Sequence, residues 1–178
     1  MADLTAFVLA GGHSSRMGSD KAFVELEGKP LLTRMLALAS AVALEVGIVG
    51  SKSKFGDYGR VIEDEFPDHG PLAGIHAALR SSSTDLNLIL AVDMPFLEMD
   101  FLRYLAEQAA AKQSAVVTLP RAQGNWQTLC AVYRKIDPLF SKVEVRAIEE
   151  AELRKQNFSP AMFRNLNTPE ELQQASKI

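Results

Sequence analysis

The stretch Thr-Ala-Phe-Val-Leu-Ala-Gly-Gly, residues 5–12, decides the fold class. Its first five residues form a short apolar run that leads into two consecutive glycines, which predicts a buried β-strand feeding a tight turn. Similar apolar runs return along the chain, and stretches with helical spacing separate them. Further strands are expected at 46–49, 60–62, 86–92, 115–119, 129–133 and 143–148, and helices at 30–44, 71–80 and 101–112.

This alternation of strands and helices predicts an α/β fold, with a mostly parallel central sheet between two layers of helices. Ligands of such sheets gather at the carboxyl ends of the strands. A last helix is expected at the tail, where Thr168 stands as N-cap, Pro169 as first residue and Glu171 three residues on, the arrangement of a capping box. The segment 120–128 is expected to be an irregular loop.

Length and composition limit the classes of protein that need to be considered. The 178 residues, 47% hydrophobic and 23% charged, predict one globular domain that spans residues 1–178. A net charge of −3 disfavours a protein that coats nucleic acid or an anionic membrane. Cys130 is the only cysteine, which excludes an internal disulfide and a cysteine-rich metal site. Without a long apolar run or a basic start, the chain is expected to be soluble and cytoplasmic.

Residues 9–21, Leu-Ala-Gly-Gly-His-Ser-Ser-Arg-Met-Gly-Ser-Asp-Lys, are expected to hold phosphate. Glycines let backbone N–H groups approach phosphate oxygens, Arg16 offers a bidentate fork, and Lys21 offers a compact charge. The spacing fits neither a Walker loop nor a dinucleotide-binding fingerprint. The alternative is a flexible surface loop with incidental charges, but the position after the first strand favours a phosphate site.

Two acids follow predicted strands, Asp64 after 61–62 and Asp93 after 86–92. If both strands are parallel, these carboxylates emerge at the same sheet edge as the glycine-rich loop. Mg²⁺ takes one or two carboxylates together with phosphate and water, so Asp93 can bridge a metal to the phosphates of a nucleotide. The alternative for each acid is a helix-capping or turn residue. The Gly-Pro-Leu-Ala-Gly turn at 70–74 favours the site.

In these and several further motifs the chain resembles the molybdenum cofactor guanylyltransferases. The likeness rests on motifs that run in family order over nearly the whole chain: 9–21, Glu-Gly-Lys-Pro-Leu at 27–31, Glu-Asp at 63–64, 70–74, Asp-Met-Pro at 93–95 and Asn-Leu-Asn-Thr-Pro-Glu-Glu-Leu at 165–172. The first motif alone marks the wider Rossmann-like nucleotidyltransferase fold. Gly11-Gly12 resembles the guanine-using branch, whereas the related cytidylyltransferases have Ala-Gly.

The resemblance implies transfer of GMP from GTP to the phosphate of molybdopterin, with release of pyrophosphate and Mg²⁺ as cofactor. It assigns catalysis to Arg16, Lys21 and Asp93, the last also holding the metal. It assigns nucleotide binding to Leu9, Ala10, Gly11, Gly12, Lys21, Asp64 and Asp93, and active-site support to Asn165 and Asn167. The implied partners are GTP, molybdopterin with or without molybdenum, other cofactor-biosynthesis proteins and apo-molybdoenzymes.

Two departures from the family pattern bear on these expectations. The family usually has about one more helix between Arg134 and Lys135, in a region expected to help form the pterin side, and Thr128 stands where the family commonly has proline. Two other functions stay under consideration. One is another nucleotidyltransferase that uses CTP, such as a molybdenum cofactor cytidylyltransferase, or that accepts a sugar phosphate or polyol phosphate. The other is a module that binds GTP without turnover, which the short junction keeps open.

Several other side chains are of types that can act in catalysis or binding, but most of them are expected to have structural roles. His76 lies on an apolar helix and is expected to be packed, and Cys130 is expected to be an inert core thiol. Trp126, in a polar loop, can stack on a flat pterin ring, and His69 lies where it can contact one. The mixed charges of 144–155 are interpreted as a solvated face.

Overall fold

The computed structural model describes residues 3–11, 20–64, 70–135, 144–166 and 168–175. Within these ranges the strands are β1 (Leu4–Leu9), β2 (Glu25–Leu26), β3 (Lys29–Pro30), β4 (Glu45–Val49), β5 (Val61–Ile62), β6 (Leu86–Ala91), β7 (Ala115–Ala122), β8 (Asn125–Trp126), β9 (Cys130–Arg134) and β10 (Glu144–Ile148). The α-helices are α1 (Leu31–Ser40), α2 (Lys52–Phe55), α3 (Pro71–Ser81), α4 (Met99–Ala111), α5 (Glu150–Lys155) and α6 (Pro169–Ala175).

The central sheet has the strand order β10-β7-β9-β6-β1-β4-β5. Along this order β9 runs antiparallel to its neighbours and the other strands pair in parallel, so the predicted mostly parallel sheet is confirmed. The strand β1 is buried along its whole length. Its alternate residues face opposite layers, since Val8 shares a core cluster with α1 and Phe7 shares another with α3. Burial on both faces explains the continuous apolar run.

The last residues of four parallel strands lie side by side at one edge of the sheet. Leu9 pairs in register with Val49 and with Ala91, and Val49 pairs with Ile62. The residues that follow these strands therefore emerge together. We call this edge, at the ends of β1, β4, β5 and β6, the carboxyl edge.

The segment 120–128 is not the irregular loop that the sequence predicted. The strand β7 continues to Ala122 and turns through Gln123 and Gly124 into β8. Both turn residues have positive φ, 52° and 77°, as a two-residue hairpin turn requires. A glutamine in this conformation is uncommon, so the sequence carries a weak hairpin signal. The interpretation of 144–155 as a solvated face was also incomplete, because α5 buries Leu153.

The tail packs against the residues that follow β6. The predicted capping box is confirmed: the Thr168 hydroxyl accepts a hydrogen bond from the Glu171 N–H at 3.2 Å, and the Glu171 carboxylate accepts one from the Thr168 N–H at 3.1 Å. Just before it, the Leu166 N–H donates to the carbonyl of Asp93 at 3.1 Å. This bond places the segment around Asn165 beside the end of β6.

The junction between Arg134 and Lys135 lies at the end of the sheet opposite the carboxyl edge. Arg134 pairs with Leu86 at the start of β6, and the Lys135 N–H donates to the Asp85 carbonyl at 2.8 Å. A segment inserted here must cross the length of β6, about 20 Å, to reach the carboxyl edge. None of the described helices is long and apolar enough to cross a membrane.

Candidate active site

A cavity of about 890 Å³ opens at the carboxyl edge. The ends of β1, β4, β5 and β6, the start of α3 and the helix α2 supply its walls. The lining residues are Leu9, Ala10, Gly11, Asp20, Lys21, Val49, Gly50, Ser51, Lys54, Phe55, Glu63, Asp64, Gly70, Pro71, Gly74, Ala91, Val92, Asp93 and Leu129. Its position matches the general rule that ligands of open α/β sheets bind beyond the carboxyl ends of the strands.

The structure brings most of the predicted site residues to this cavity. The predicted residues that line it are Leu9, Ala10, Gly11, Lys21, Asp64 and Asp93. Asn165 does not line the cavity, but its neighbour Leu166 bonds to the backbone of Asp93, and its own side-chain oxygen is buried without a hydrogen-bond partner. Gly12, Arg16, His69 and Asn167 lie outside the described residues.

The cavity wall includes an ion pair between Lys21 and Asp93, which are 72 positions apart in sequence. The Lys21 Nζ donates to Asp93 Oδ2 at 2.9 Å, and the two side chains are 22% and 15% exposed. Lys21 opens a short 3-10 helix, Lys21–Phe23, and Asp93 follows β6. The pair thus places a cation and a hard oxygen ligand within hydrogen-bond distance of each other.

Asp20 connects the glycine-rich segment to α2 on the other side of the cavity. One carboxylate oxygen, Oδ1, accepts from the Ala22 N–H at 3.2 Å and so caps the 3-10 helix. The other, Oδ2, accepts from the Lys54 ammonium at 2.8 Å. The sequence pointed to neither role, because α2 has four residues and therefore no apolar periodicity. The available signal was a lysine-rich stretch directly after the end of β4.

The backbone at the end of β1 is already hydrogen-bonded inside the protein. The N–H groups of Ala10 and Gly11 both donate to the Val49 carbonyl, at 3.0 and 3.1 Å. In this structure these two amides are therefore engaged by the protein backbone, and phosphate binding by the glycine-rich segment stays a prediction. Position 50 has no room for a side chain, since a Cβ on Gly50 would lie 2.7 Å from the Phe55 ring and 3.3 Å from the Gly11 nitrogen.

Outside the site, Cys130 and His76 differ in their burial. Cys130 is fully buried, and burial raises the pKa of its thiol far above the ordinary value, which confirms an inert core residue. His76 is exposed on α3, so the prediction of a packed histidine was wrong. The apolar face of α3 instead consists of Ala73, Ile75, Ala77 and Ala78.

Known structures place this architecture among the nucleotidyltransferases. A nucleotidyl transferase from Methanothermobacter superposes with a TM-score of 0.72 at 19% identity, over 98% of this chain and 96% of that one. Molybdopterin-guanine dinucleotide biosynthesis protein A from Archaeoglobus fulgidus superposes with a TM-score of 0.79 at 27% identity, over 97% of both chains. The predicted α/β nucleotidyltransferase fold is therefore confirmed.

Sequence comparison narrows the class to a family. Residues 6–156 match the MobA-like NTP transferase domain, and the chain belongs to that family. A "probable molybdenum cofactor guanylyltransferase" from Pelotomaculum thermopropionicum is 34% identical over 193 positions, which cover 98% of this chain and 93% of that protein. One of the same name from Clostridium perfringens is 35% identical over 133 positions, and this match covers 74% of this chain and 66% of that protein.

Proposed function

We propose that the protein transfers GMP from GTP to the phosphate of molybdopterin, which releases pyrophosphate and forms the guanine dinucleotide cofactor. The observation that carries this proposal is the Lys21–Asp93 pair inside the cavity at the carboxyl edge. Family membership and relatives named guanylyltransferases support the choice of reaction. We further propose that residues 1–178 act as one nucleotidyltransferase domain in the cytoplasm, and that cofactor-biosynthesis proteins and apo-molybdoenzymes are its partners.

In this proposal an oxygen of the acceptor phosphate attacks the α-phosphorus of GTP. The bond from the α-phosphorus to the bridging oxygen breaks, and its electron pair leaves with pyrophosphate. The acceptor phosphate is already ionised, so the reaction needs alignment and charge neutralisation rather than a strong base. Lys21 and Arg16 are proposed to neutralise the charge that grows on the leaving pyrophosphate. Leu9, Ala10, Gly11, Gly12 and Asp64 are proposed to bind the nucleotide, and Asn165 and Asn167 to support the active site.

The residues present fit a magnesium ion at Asp93. Nucleotidyltransferases of this kind use a divalent metal, and Mg²⁺ prefers hard oxygens and often takes one or two carboxylates, with phosphate and water as the other ligands. Asp93 offers such a carboxylate, 15% exposed in the cavity wall. Among the described residues no group of three or more His, Cys, Asp or Glu side chains gathers to hold an ion alone. When bound, the ion would supply charge stabilisation to the phosphates.

Lys54 is proposed to add a further positive charge to the nucleotide site. The substitution Lys54→Met is expected to weaken binding of Mg-GTP by roughly three- to tenfold, because it removes one cation and the bond to Asp20. Thermal stability should barely change, since the side chain is 56% exposed. Isothermal titration calorimetry measures the affinity.

Two variants give this test its controls. Lys52→Met makes the same change of charge on the same helix, but Lys52 does not line the cavity, so its affinity for GTP should match the wild type. Asp20→Asn breaks the same ion pair and keeps an oxygen that can cap Ala22. Equal losses in Lys54→Met and Lys52→Met would contradict a specific role for Lys54.

Nucleotide preference tests the proposed function itself. Calorimetry with each Mg-nucleoside triphosphate is expected to give clear binding of GTP and weaker binding of CTP, ATP and UTP. Preference for CTP would move the protein to the cytidylyltransferase branch. In this structure a Cβ on Gly11 would meet only ordinary contacts, 3.5 Å to the Gly50 Cα, so the fold itself tolerates either branch's residue. Absence of binding to all four would contradict a nucleotide site.

A further inference from the structure

Among the described helices, α3 packs on the β1, β4 and β5 part of its sheet face, beside the cavity. The helices α4 and α5 pack through a core cluster on the opposite face. Val117 of β7 pairs with Tyr133 of β9, so both point to the α3 side, and alternation along β7 places Arg121 on that side too. On this side Leu119 is buried, Val117 and Tyr133 are half-buried, and Arg121 at the end of the strand is exposed.

An aromatic side chain stands at the rim of this face. Trp126 pairs across the hairpin with Arg121, and the Arg121 guanidinium lies 5.2 Å from the centroid of the indole ring. The guanidinium braces one face of the ring through a cation–π contact. The Trp126 side chain nevertheless remains 48% exposed, although an indole ring offers a large apolar area for burial.

The hairpin is joined directly to the wall of the cavity. Leu129, three residues after Trp126, lines the cavity, and its carbonyl accepts from the Ala91 N–H at 2.8 Å. Ala91 is the last residue of β6 and lies two residues before Asp93. Since β9 lies between β6 and β7, the hairpin starts about 10 Å from β6 across the sheet. A molecule with its phosphate at Asp93 and a fused ring system extending across the sheet would reach Trp126.

We propose that Trp126, braced by Arg121, is the stacking surface for the flat heteroaromatic ring of the acceptor. This inference rests on the proposed function, because it takes molybdopterin as the acceptor. It assigns the acceptor to the side of Asp93 that faces β9 and β7. The pyrimidine ring of a pterin offers a flat face that can stack on the indole, and the guanidinium holds the indole in place before the ligand arrives. The GTP base is then left to the opposite part of the cavity, beside Phe55 and Asp64.

The test is a steady-state analysis of GMP transfer to molybdopterin, in which each substrate is varied while the other is kept saturating. Trp126→Ala is expected to raise the KM for molybdopterin by about 5- to 100-fold, the range seen when an aromatic stacking partner of a base is removed. The KM for GTP should stay at the wild-type value. Trp126→Phe keeps a flat ring and should recover most of the loss. Leu44→Ala removes an exposed apolar side chain elsewhere and serves as the matched control.

Each other outcome of this experiment has a defined meaning. A KM for molybdopterin that is unchanged in Trp126→Ala would overturn the inference and leave the proposed function intact. A parallel rise in the KM for GTP would overturn it as well, because it would reveal general damage to the site. Absence of any transfer by the wild-type protein would overturn the proposed function, and the inference with it. Recovery in Trp126→Phe distinguishes stacking from simple loss of bulk.

Discussion

Asp93→Ala is expected to lower kcat for GMP transfer by at least about a thousandfold. The substitution removes the carboxylate proposed to hold the metal ion, and metal stabilisation of phosphoryl charge contributes several kcal/mol, with each 1.4 kcal/mol worth about tenfold. It also removes the partner of Lys21, whose ammonium lies 2.9 Å from Asp93 Oδ2. The assay follows radiolabel from α-labelled GTP into the pterin product.

Asp93→Asn is the matched variant for this prediction. It preserves side-chain volume and one hydrogen-bonding oxygen but removes the negative charge, so its activity should be nearly as low as that of Asp93→Ala. Both variants should fold, because the contact between Asp93 and the tail uses the Asp93 backbone carbonyl. Transfer of GMP at the wild-type rate by either variant would show that the metal is held elsewhere.

Lys21→Met is expected to lower kcat by roughly 100- to 1,000-fold. The loss is that typical of removing one preorganised group that stabilises developing charge, here the charge on the leaving pyrophosphate. The KM for GTP should change much less, because the charge to be neutralised grows during the reaction. Single-turnover kinetics measure the chemical step directly.

The controls for Lys21 lie in the same cavity. Lys21→Arg keeps the charge but replaces a compact ammonium by a planar fork, so it should restore part of the rate. Lys54→Met removes another cation of the cavity wall and should change mainly GTP binding. A fall in GTP affinity with an unchanged kcat in Lys21→Met would place Lys21 in ground-state binding and contradict its catalytic role.

The sequence predicted those parts of the site that strand patterns determine. Four apolar strands run in parallel into the same edge, and for that reason the apolar pattern alone could assign Gly11, Asp64 and Asp93 to one place. The capping box at Thr168 and Glu171 was equally predictable, since it depends on four consecutive residues. Both cases rest on local patterns with a known geometric consequence.

Contacts between distant segments were not predictable in this way. Lys54 bonds to Asp20 across 34 positions, from a helix too short to have a periodicity. The engagement of the Ala10 and Gly11 amides by the Val49 carbonyl depends on the register between β1 and β4. The exposure of His76 also depends on how α3 is rotated on the sheet, because several of its faces carry small apolar residues.

The most direct test of the proposed function follows the α- and γ-phosphates of GTP separately. The wild-type protein is incubated with Mg²⁺, molybdopterin and GTP labelled at either the α- or the γ-phosphate. We expect the α-label to enter the pterin product and the γ-label to leave as pyrophosphate, in equal amounts and only when molybdopterin is present. Release of γ-label as inorganic phosphate, or GTP binding without any transfer of α-label, would contradict the proposed function.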